Sequence, residues 1–352
     1  MNFLDYSSTC PVVKYPSSAY GIFLNPNANY AYKEKRLLAE AEDRVKRAIG
    51  AKSGKVIFGG TSSQLIENLF THITEETNEY LTICSIYEHD AMWRFADQWG
   101  NIDSLKHVIQ TYHGDKRLIV SLMGINNLTG EIFPVEEIGK LCHEHDAFYI
   151  CDMTAMVGKV SIPANIDDWC DCVVWSGHKL GTELGIGGMW ISDRFDKWLG
   201  GFKLHGTPNL AGALAMTQAV EDVCDIINIE CHNKHWIALY KYLGHGLIDN
   251  QVKFETVDAG GCGTHCAAIN AIRLPGFNAR ALQSYLASKQ VYVGLGQASC
   301  ADDADRRILC NGYGLIKEEA DEVIRVSFGI NSSINEVKML VEQIKNFKEV
   351  YL

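Results

Sequence analysis

The sequence has no long basic block, and its 32 lysines and arginines are outnumbered by 43 aspartates and glutamates, for a net charge of −11. A chain of that balance is not made to lie along a phosphate backbone. It excludes a nucleic-acid surface and leaves room only for local basic pockets. No run of 18 apolar residues occurs, so no segment reads as a membrane span. Met1-Asn2-Phe3-Leu4-Asp5 lacks the basic residues that open a secretory signal. The expected setting is therefore cytoplasmic, where thiols stay reduced. No Pro/Gly/Ser-rich linker and no internal repeat divides the chain.

What is present fits an ordinary globular protein. The hydrophobic fraction is 47% and the charged fraction 21%, which argues against disorder. A chain of 352 residues is long enough for a large domain and a smaller one, each with a core. Twelve cysteines is a high count, but their spacing is irregular. Cys170-x-Cys172 lacks a matching second half, as does Cys262-x-x-x-Cys266 with His265 between, and zinc normally takes four ligands. Both pairs read as structural thiols.

Strand-like and helix-like segments alternate, the pattern of a parallel α/β sheet. Leu37, Leu38, Ala41, Val45, Ala48 and Ile49 share one helical face between Lys33 and Gly50, with Gly50 placed as the stop. Apolar strands are predicted at Val56-Phe58, Leu81-Ile86, Leu118-Met123, Phe148-Cys151, Val173-Trp175 and Gly188-Ser192. Pro134 starts a helix running to His145, and Asn209-Glu230 carries one long helical pattern. A smaller α+β domain follows, with strands at His265-Ile272, Val291-Gly294 and Val323-Phe328 and a closing helix from Ile334 to Phe347. The expected division is a large α/β domain over 15–231 and a small α+β domain made of 1–14 and 232–352.

Chemistry concentrates where predicted strands end. Ser176-Gly177-His178-Lys179 follows the apolar run Cys172-Trp175. A lysine fixed at a strand mouth is able to form a Schiff base with a carbonyl compound, which suggests a pyridoxal phosphate (PLP) enzyme. Asp152 ends another such strand, where a carboxylate would hold the ring nitrogen of that cofactor; a turn aspartate would look the same. Gly59-Gly60-Thr61 opens a helical segment and suits a phosphate ester, or an ordinary strand-to-helix turn. His89 follows a strand and suits ring stacking or proton transfer, and Asn127 suits a cofactor or substrate oxygen; a capping histidine and a turn asparagine are the plain alternatives. Arg325, inside a β-type run, suits a substrate carboxylate or a neighbouring acid. Cys300 lies in a polar loop with Asp302 and Asp303, where a thiol is accessible as a nucleophile although the acids disfavour its thiolate.

In this order the segments resemble the cysteine desulfurases of the class V aminotransferase family, which are fold-type I PLP enzymes. Phe3-Leu4-Asp5-Tyr6-Ser7-Ser8-Thr9-Cys10-Pro11-Val12 is similar to the family's start and Leu24-Asn25-Pro26-Asn27-Ala28 to its Asn-Pro segment. Gly59-Gly60-Thr61, Glu88-His89, Asn126-Asn127, Asp152 to Lys159, Ser176 to Lys179, Gly206-Thr207 and Ile324 to Gly329 match its other motifs. The resemblance implies a mostly parallel large domain with a small α+β domain. It implies Lys179 as the Schiff-base residue, Asp152 on the pyridine nitrogen, and His89 stacked on the ring. Gly60, Thr61, Ser176, His178 and the Thr207 of a neighbouring subunit would hold the phosphate. Asn127 and Arg325 would hold the substrate carboxylate, and a loop cysteine would take sulfur as a persulfide.

Three departures stand out. Ala155 replaces the family glutamine that donates to the ring oxygen, Ser62-Ser63 replaces an acidic-then-small pair, and the Cys300 loop is one residue longer. The expected function is a cysteine desulfurase or related carbon–sulfur lyase acting on a small amino acid, as a homodimer, with a sulfur-acceptor protein. The alternatives are a PLP enzyme performing transamination, racemisation or β-elimination without a catalytic cysteine, and a PLP-free binding module.

Overall fold

The structure, a computed structural model, describes residues 2–22, 24–77, 79–258, 264–296 and 306–351. Its strands are β1 (Asn2–Leu4), β2 (Lys55–Gly59), β3 (Tyr80–Ser85), β4 (Gln98–Gly100), β5 (Arg117–Ser121), β6 (Glu131–Ile132), β7 (Phe148–Asp152), β8 (Cys172–Ser176), β9 (Gly187–Ile191), β10 (Glu255–Thr256), β11 (Thr264–His265), β12 (Ile269–Arg273), β13 (Val291–Leu295) and β14 (Val323–Ser327). The α-helices are α1 (Tyr32–Ala48), α2 (Ser62–Glu76), α3 (Asp90–Trp93), α4 (Ile102–Thr111), α5 (Val135–Glu144), α6 (Asp193–Trp198), α7 (Leu210–Cys224), α8 (Ile226–Asp249), α9 (Ala279–Ser288), α10 (Lys317–Ala320) and α11 (Ile334–Tyr351). The chain forms two units. One comprises Val12–Gly124 and Phe133–Ile229, the other Met1–Pro11, Ile125–Ile132 and Glu230–Leu352.

The first unit is built on a seven-stranded sheet in the order β2-β9-β8-β7-β5-β3-β4. Strands β4, β3, β5, β7 and β8 run parallel, while β9 is antiparallel to both β8 and β2. This is the mostly parallel α/β sheet expected. Every residue of β7 and β8 is buried, because helices cover both faces of a parallel sheet, and that is why both strands read as unbroken apolar runs. Leu65, Leu69 and Phe70 of α2 pack in one cluster with Ile119, Ile150 and Val174 from the strands. Each such burial contributes about 1.5–3 kcal/mol.

Two helices show where local signals acted. Helix α1 ends at Ala48, and Gly50 just beyond it takes a φ of +78°, a conformation that glycine adopts at least cost. The single helix expected over Asn209–Glu230 is instead α7 and α8, split at Asp225. Asp225 is extended (φ −63°, ψ 124°), and its Oδ1 accepts the N–H groups of Ile227 and Asn228. An aspartate placed so begins a new helix rather than continuing the old one.

The second unit holds a five-stranded sheet, β1-β13-β14-β12-β10, in which β1 is parallel to β13 and the other pairs are antiparallel. The strand expected over His265-Ile272 is divided into β11, which pairs with β6, and β12. Cys266 N–H donates to Gly130 O at 2.8 Å instead of joining a strand ladder, and Ile269 N–H turns back to Cys266 O at 3.0 Å. Among the described residues, no helix is long and apolar enough to cross a membrane.

Candidate functional site

Asp152, the last residue of β7, is in register with Val174 of β8. Ser176 lies two residues further along β8, so both side chains project from one face at the carboxyl edge of the sheet. Asp152 is 7% exposed, and its Oδ1 accepts the Thr154 N–H at 2.8 Å. The Thr154 hydroxyl beside it is buried with no hydrogen-bond partner among the described residues. Ala155, 5% exposed, adds no donor where a glutamine would supply one.

Beyond Ser176 the chain makes a 3₁₀ turn, Gly177–Lys179. Leu180 N–H and Thr182 N–H both donate to Gly177 O, at 2.8 and 3.2 Å. A Cβ on Gly177 would stand 2.3 Å from Thr182 Oγ1 and 2.7 Å from Met216 Cε, so the turn closes only around glycine. It presents His178 and Lys179 half-buried. Burial, and then the charge of Lys179, lower the His178 pKa to about 4. This imidazole is neutral at physiological pH and offers an N–H donor rather than a positive charge.

The Gly59-Gly60-Thr61 turn meets the same edge from β2. Thr61 caps α2, its hydroxyl oxygen accepting the Gln64 N–H at 3.0 Å. Ser62 N–H donates to Ser176 Oγ at 3.3 Å, and the two serine hydroxyls lie 2.9 Å apart. A Cβ on Gly187 would come within 2.7 Å of Thr61 C, so β9 also needs a glycine to let the turn approach. Two hydroxyls, a helix N-terminus and a neutral imidazole suit a phosphate ester. Ser62 was not singled out for this role by the sequence, although its place as a departure from the family pair marked it.

His89 and Glu88 close the edge from β3. His89 Nδ1 accepts the Ala91 N–H at 3.1 Å, capping α3, so a neutral ring carries its proton on Nε2. Glu88 is fully buried. Its Oε1 accepts the Ser121 hydroxyl at 2.8 Å, and the backbone N–H groups of His89 and Met123 donate to it as well. Burial, then the neighbouring Asp152 charge, raise its pKa to about 8. No periodicity or spacing singled out this acid.

Thr207 is exposed, and its Oγ1 accepts from Asn25 Nδ2 at 3.2 Å, while Asn27 Nδ2 donates to Gly206 O at 2.9 Å. The hydroxyl proton of Thr207 is thereby directed away from Asn25. Gly60 and Thr207 line one hollow of 540 Å³ together with His72 and Lys203.

Asn127 and Arg325 belong to the other unit. Arg325, 3% exposed in β14, donates from Nη1 to Asn127 O at 3.1 Å and from Nε and Nη2 to Asp5 Oδ1 at 3.2 and 2.8 Å. A guanidinium has five N–H donors, so two are uncommitted among the described residues. Ser7 Oγ also donates to Asn127 O, at 2.6 Å, while Asn127 Oδ1 is buried without a partner among the described residues. Asp5 and Ser7 are further members of this cluster that the sequence reading did not single out. Cys300, the proposed sulfur carrier, lies outside the described residues. Cys170, by contrast, donates its thiol to Cys172 O at 3.2 Å and Tyr149 O at 3.6 Å. Among the described residues, no group of three or more His, Cys, Asp or Glu side chains is arranged to hold a metal ion.

The family model described as Aminotransferase class-V matches residues 12–340. The chain is 28% identical to the cysteine desulfurase IscS of Dictyoglomus turgidum over 260 residues, 62% of this chain and 63% of that protein. It is 30% identical to the IscS of Ehrlichia chaffeensis over 214 residues, 54% of this chain and 52% of that one. The matches thus span about half to two thirds of those relatives. A probable mitochondrial cysteine desulfurase of Dictyostelium discoideum is 24% identical over 380 residues, covering 97% of this chain and 82% of that protein. The solved structure of a NifS-like protein from Rickettsia africae superimposes with a TM-score of 0.80 at 19% identity, over 99% of both chains.

Proposed function

The chain belongs to the aminotransferase class-V family, and on that premise we propose that it is a PLP-dependent cysteine desulfurase or related carbon–sulfur lyase acting on L-cysteine or a similar small amino acid. The observation that carries this reading is the shared edge of β7 and β8. There, a buried carboxylate, a paired serine hydroxyl and a lysine-bearing turn stand together in register. The residues present fit the cofactor. Asp152 suits its ring nitrogen, Lys179 its aldehyde, and Gly60, Thr61, Ser176 and His178 its phosphate; glycine at 177 and 187 lets the turns that carry these groups close against their neighbours. When bound, PLP supplies an electron sink for charge developing at the substrate Cα.

The chain's own residues supply the rest. Lys179 moves a proton at Cα, and Asp152 keeps the ring nitrogen protonated. His178 gives an uncharged N–H to the phosphate. His89, with Nδ1 committed to Ala91 N–H, presents its Nε2–H to the ring or to a departing group. Asn127 and Arg325 hold the substrate carboxylate, and Thr207 of a second copy completes the phosphate site in a homodimer. Cys300 attacks the substrate sulfur as a thiolate; the carbon–sulfur bond breaks with its electron pair left on Cβ, Cβ takes up a proton, alanine leaves, and the outer sulfur of the persulfide passes to a sulfur-acceptor protein in the cytoplasm. A second reading, transamination, racemisation or β-elimination on another amino acid without a catalytic cysteine, is favoured by Ala155, which removes a ring-oxygen donor.

The test begins with reconstitution. Wild type with added PLP is expected to turn yellow, and Lys179→Ala to stay colourless. L-Cysteine should then yield alanine and sulfide, with Cys300→Ser markedly slower in sulfur release. Pyruvate and ammonia in place of alanine would select β-elimination. A wild type that stays colourless would sink both readings.

A further inference from the structure

Glu88 is a fully buried acid that the proposed reaction does not use. Its place follows from strand register. Ser121, the last residue of β5, pairs with Ile150 of β7, and Asp152 lies two residues beyond Ile150 on the same face. By accepting the Ser121 hydroxyl at 2.8 Å, Glu88 is drawn onto that face beside Asp152. Among the groups that bear on its charge are Asp152, the Ser121 hydroxyl and the backbone N–H groups of His89 and Met123, and Cys151 faces it with a thiol that burial pushes far up and so keeps neutral. Two buried carboxyls side by side are not both ionised without a large cost. Burial, and then the neighbouring Asp152 charge, raise the pKa of Glu88, so Glu88 is the member that carries the proton.

We propose that Glu88 is a positioning residue for Asp152: a second carboxyl, fixed by Ser121, that sets how much negative charge stands at the ring-nitrogen end of the cofactor. The proposal rests on the PLP reading above. While Glu88 is protonated, the pair carries one negative charge, matched to one ring-nitrogen proton. Once Glu88 ionises, near pH 8, a second charge appears and raises the proton affinity of the ring nitrogen.

Two measurements on the PLP-loaded protein test this. Infrared spectra should show a protonated-carboxyl C=O band that disappears near pH 8 and is missing from Glu88→Gln. The resonance of ¹⁵N-labelled ring nitrogen should move through the same transition in wild type and stay flat in Glu88→Gln. Ser121→Ala, which leaves Glu88 in place but deletes a hydrogen bond that lowers its pKa, should move the transition to higher pH. That variant keeps the test open if Glu88→Gln does not fold. A missing carboxyl band in wild type at pH 6, a ring-nitrogen transition unchanged in Glu88→Gln, or an unmoved transition in Ser121→Ala would each overturn the proposal. If wild type takes up no PLP, the cofactor reading fails and this proposal with it; a coloured protein indifferent to Glu88 defeats this proposal alone.

Discussion

Arg325 places both Nε and Nη2 on a single oxygen, Oδ1 of Asp5, at 3.2 and 2.8 Å. The arginine expected to hold a substrate carboxylate thus already has a carboxylate of its own. Since three of its five donors go to Asp5 and Asn127, Asp5 fixes the direction of the guanidinium instead of occupying it fully.

Removing Asp5 should therefore cost stability and aim together. Asp5→Ala leaves the Arg325 side chain, 4% exposed, without its counter-charge, for a loss of about 3 kcal/mol by urea unfolding. Asp5→Asn keeps an acceptor oxygen and should lose less. In both, KM for the amino acid should rise while PLP content stays at the wild-type level. A variant with normal KM would show that Arg325 is a structural ion pair.

A second ion pair, at the edge of the seven-stranded sheet opposite Asp152 and Ser176, provides the control. Asp171 precedes β8 and is completely buried; it accepts from Arg194 Nη2 at 2.7 Å, His143 Nε2 at 3.1 Å and Ser192 Oγ at 3.0 Å. Burial alone would raise its pKa, but the hydrogen bonds from His143 and Arg194 outweigh that and hold it below the ordinary 3.8. The stabilisation is complete above that value and is lost as pH falls through the lower folded one. Arg194→Ala should cost about 3 kcal/mol while PLP affinity and turnover per folded molecule stay unchanged. A loss of PLP binding in the folded variant would mean that the two edges are coupled.

These pairs also show what sequence reading reaches. Phe148–Asp152 and Cys172–Ser176 are buried at every position, so their apolar runs declare central strands, and the residue that ends each stands out against them. Gly50 and Pro134 mark helix ends through backbone preferences that need no tertiary partner. The Asp5–Arg325 pair joins residues 320 positions apart and leaves no local pattern. Glu88 is a lone acid between Tyr87 and His89, and only the register of β5 against β7 shows why it is buried. The two-residue strands β6 and β11 are equally silent, because their pairing depends on the turn at Gly130.

His178 offers a prediction with a defined sign. Its folded pKa of about 4 lies below the ordinary 6.5, through burial first and the Lys179 charge second. Lys179→Met removes the second cause only, so the pKa should rise but stay below 6.5. Loading the cofactor, which adds a phosphate dianion, should raise it as well. Because the unfolded chain takes up a proton below pH 6.5 and the folded one does not until about 4, His178 makes the protein lose stability as pH falls across that window. NMR titration of the His178 ring in wild type and Lys179→Met, with and without PLP, reads these shifts directly. An unchanged pKa in Lys179→Met would show that burial alone sets it.

Thr154 bears on the missing glutamine. Among the described residues its hydroxyl is buried without a partner, two residues past Asp152 and next to Ala155, and a buried hydroxyl left unpaired costs about 1–3 kcal/mol. Such a cost persists in a fold when a ligand satisfies the group. Thr154→Val should then make the PLP-free protein more stable by about 1 kcal/mol, while the extra stability conferred by added PLP shrinks, because that stability follows cofactor affinity. Thr154→Ser, which keeps the hydroxyl, should behave as wild type in the second respect. Thermal melts of all three proteins with and without PLP separate the outcomes. If valine gains stability and loses nothing toward PLP, the hydroxyl serves no cofactor, and Ala155 leaves the ring oxygen without a donor from this turn.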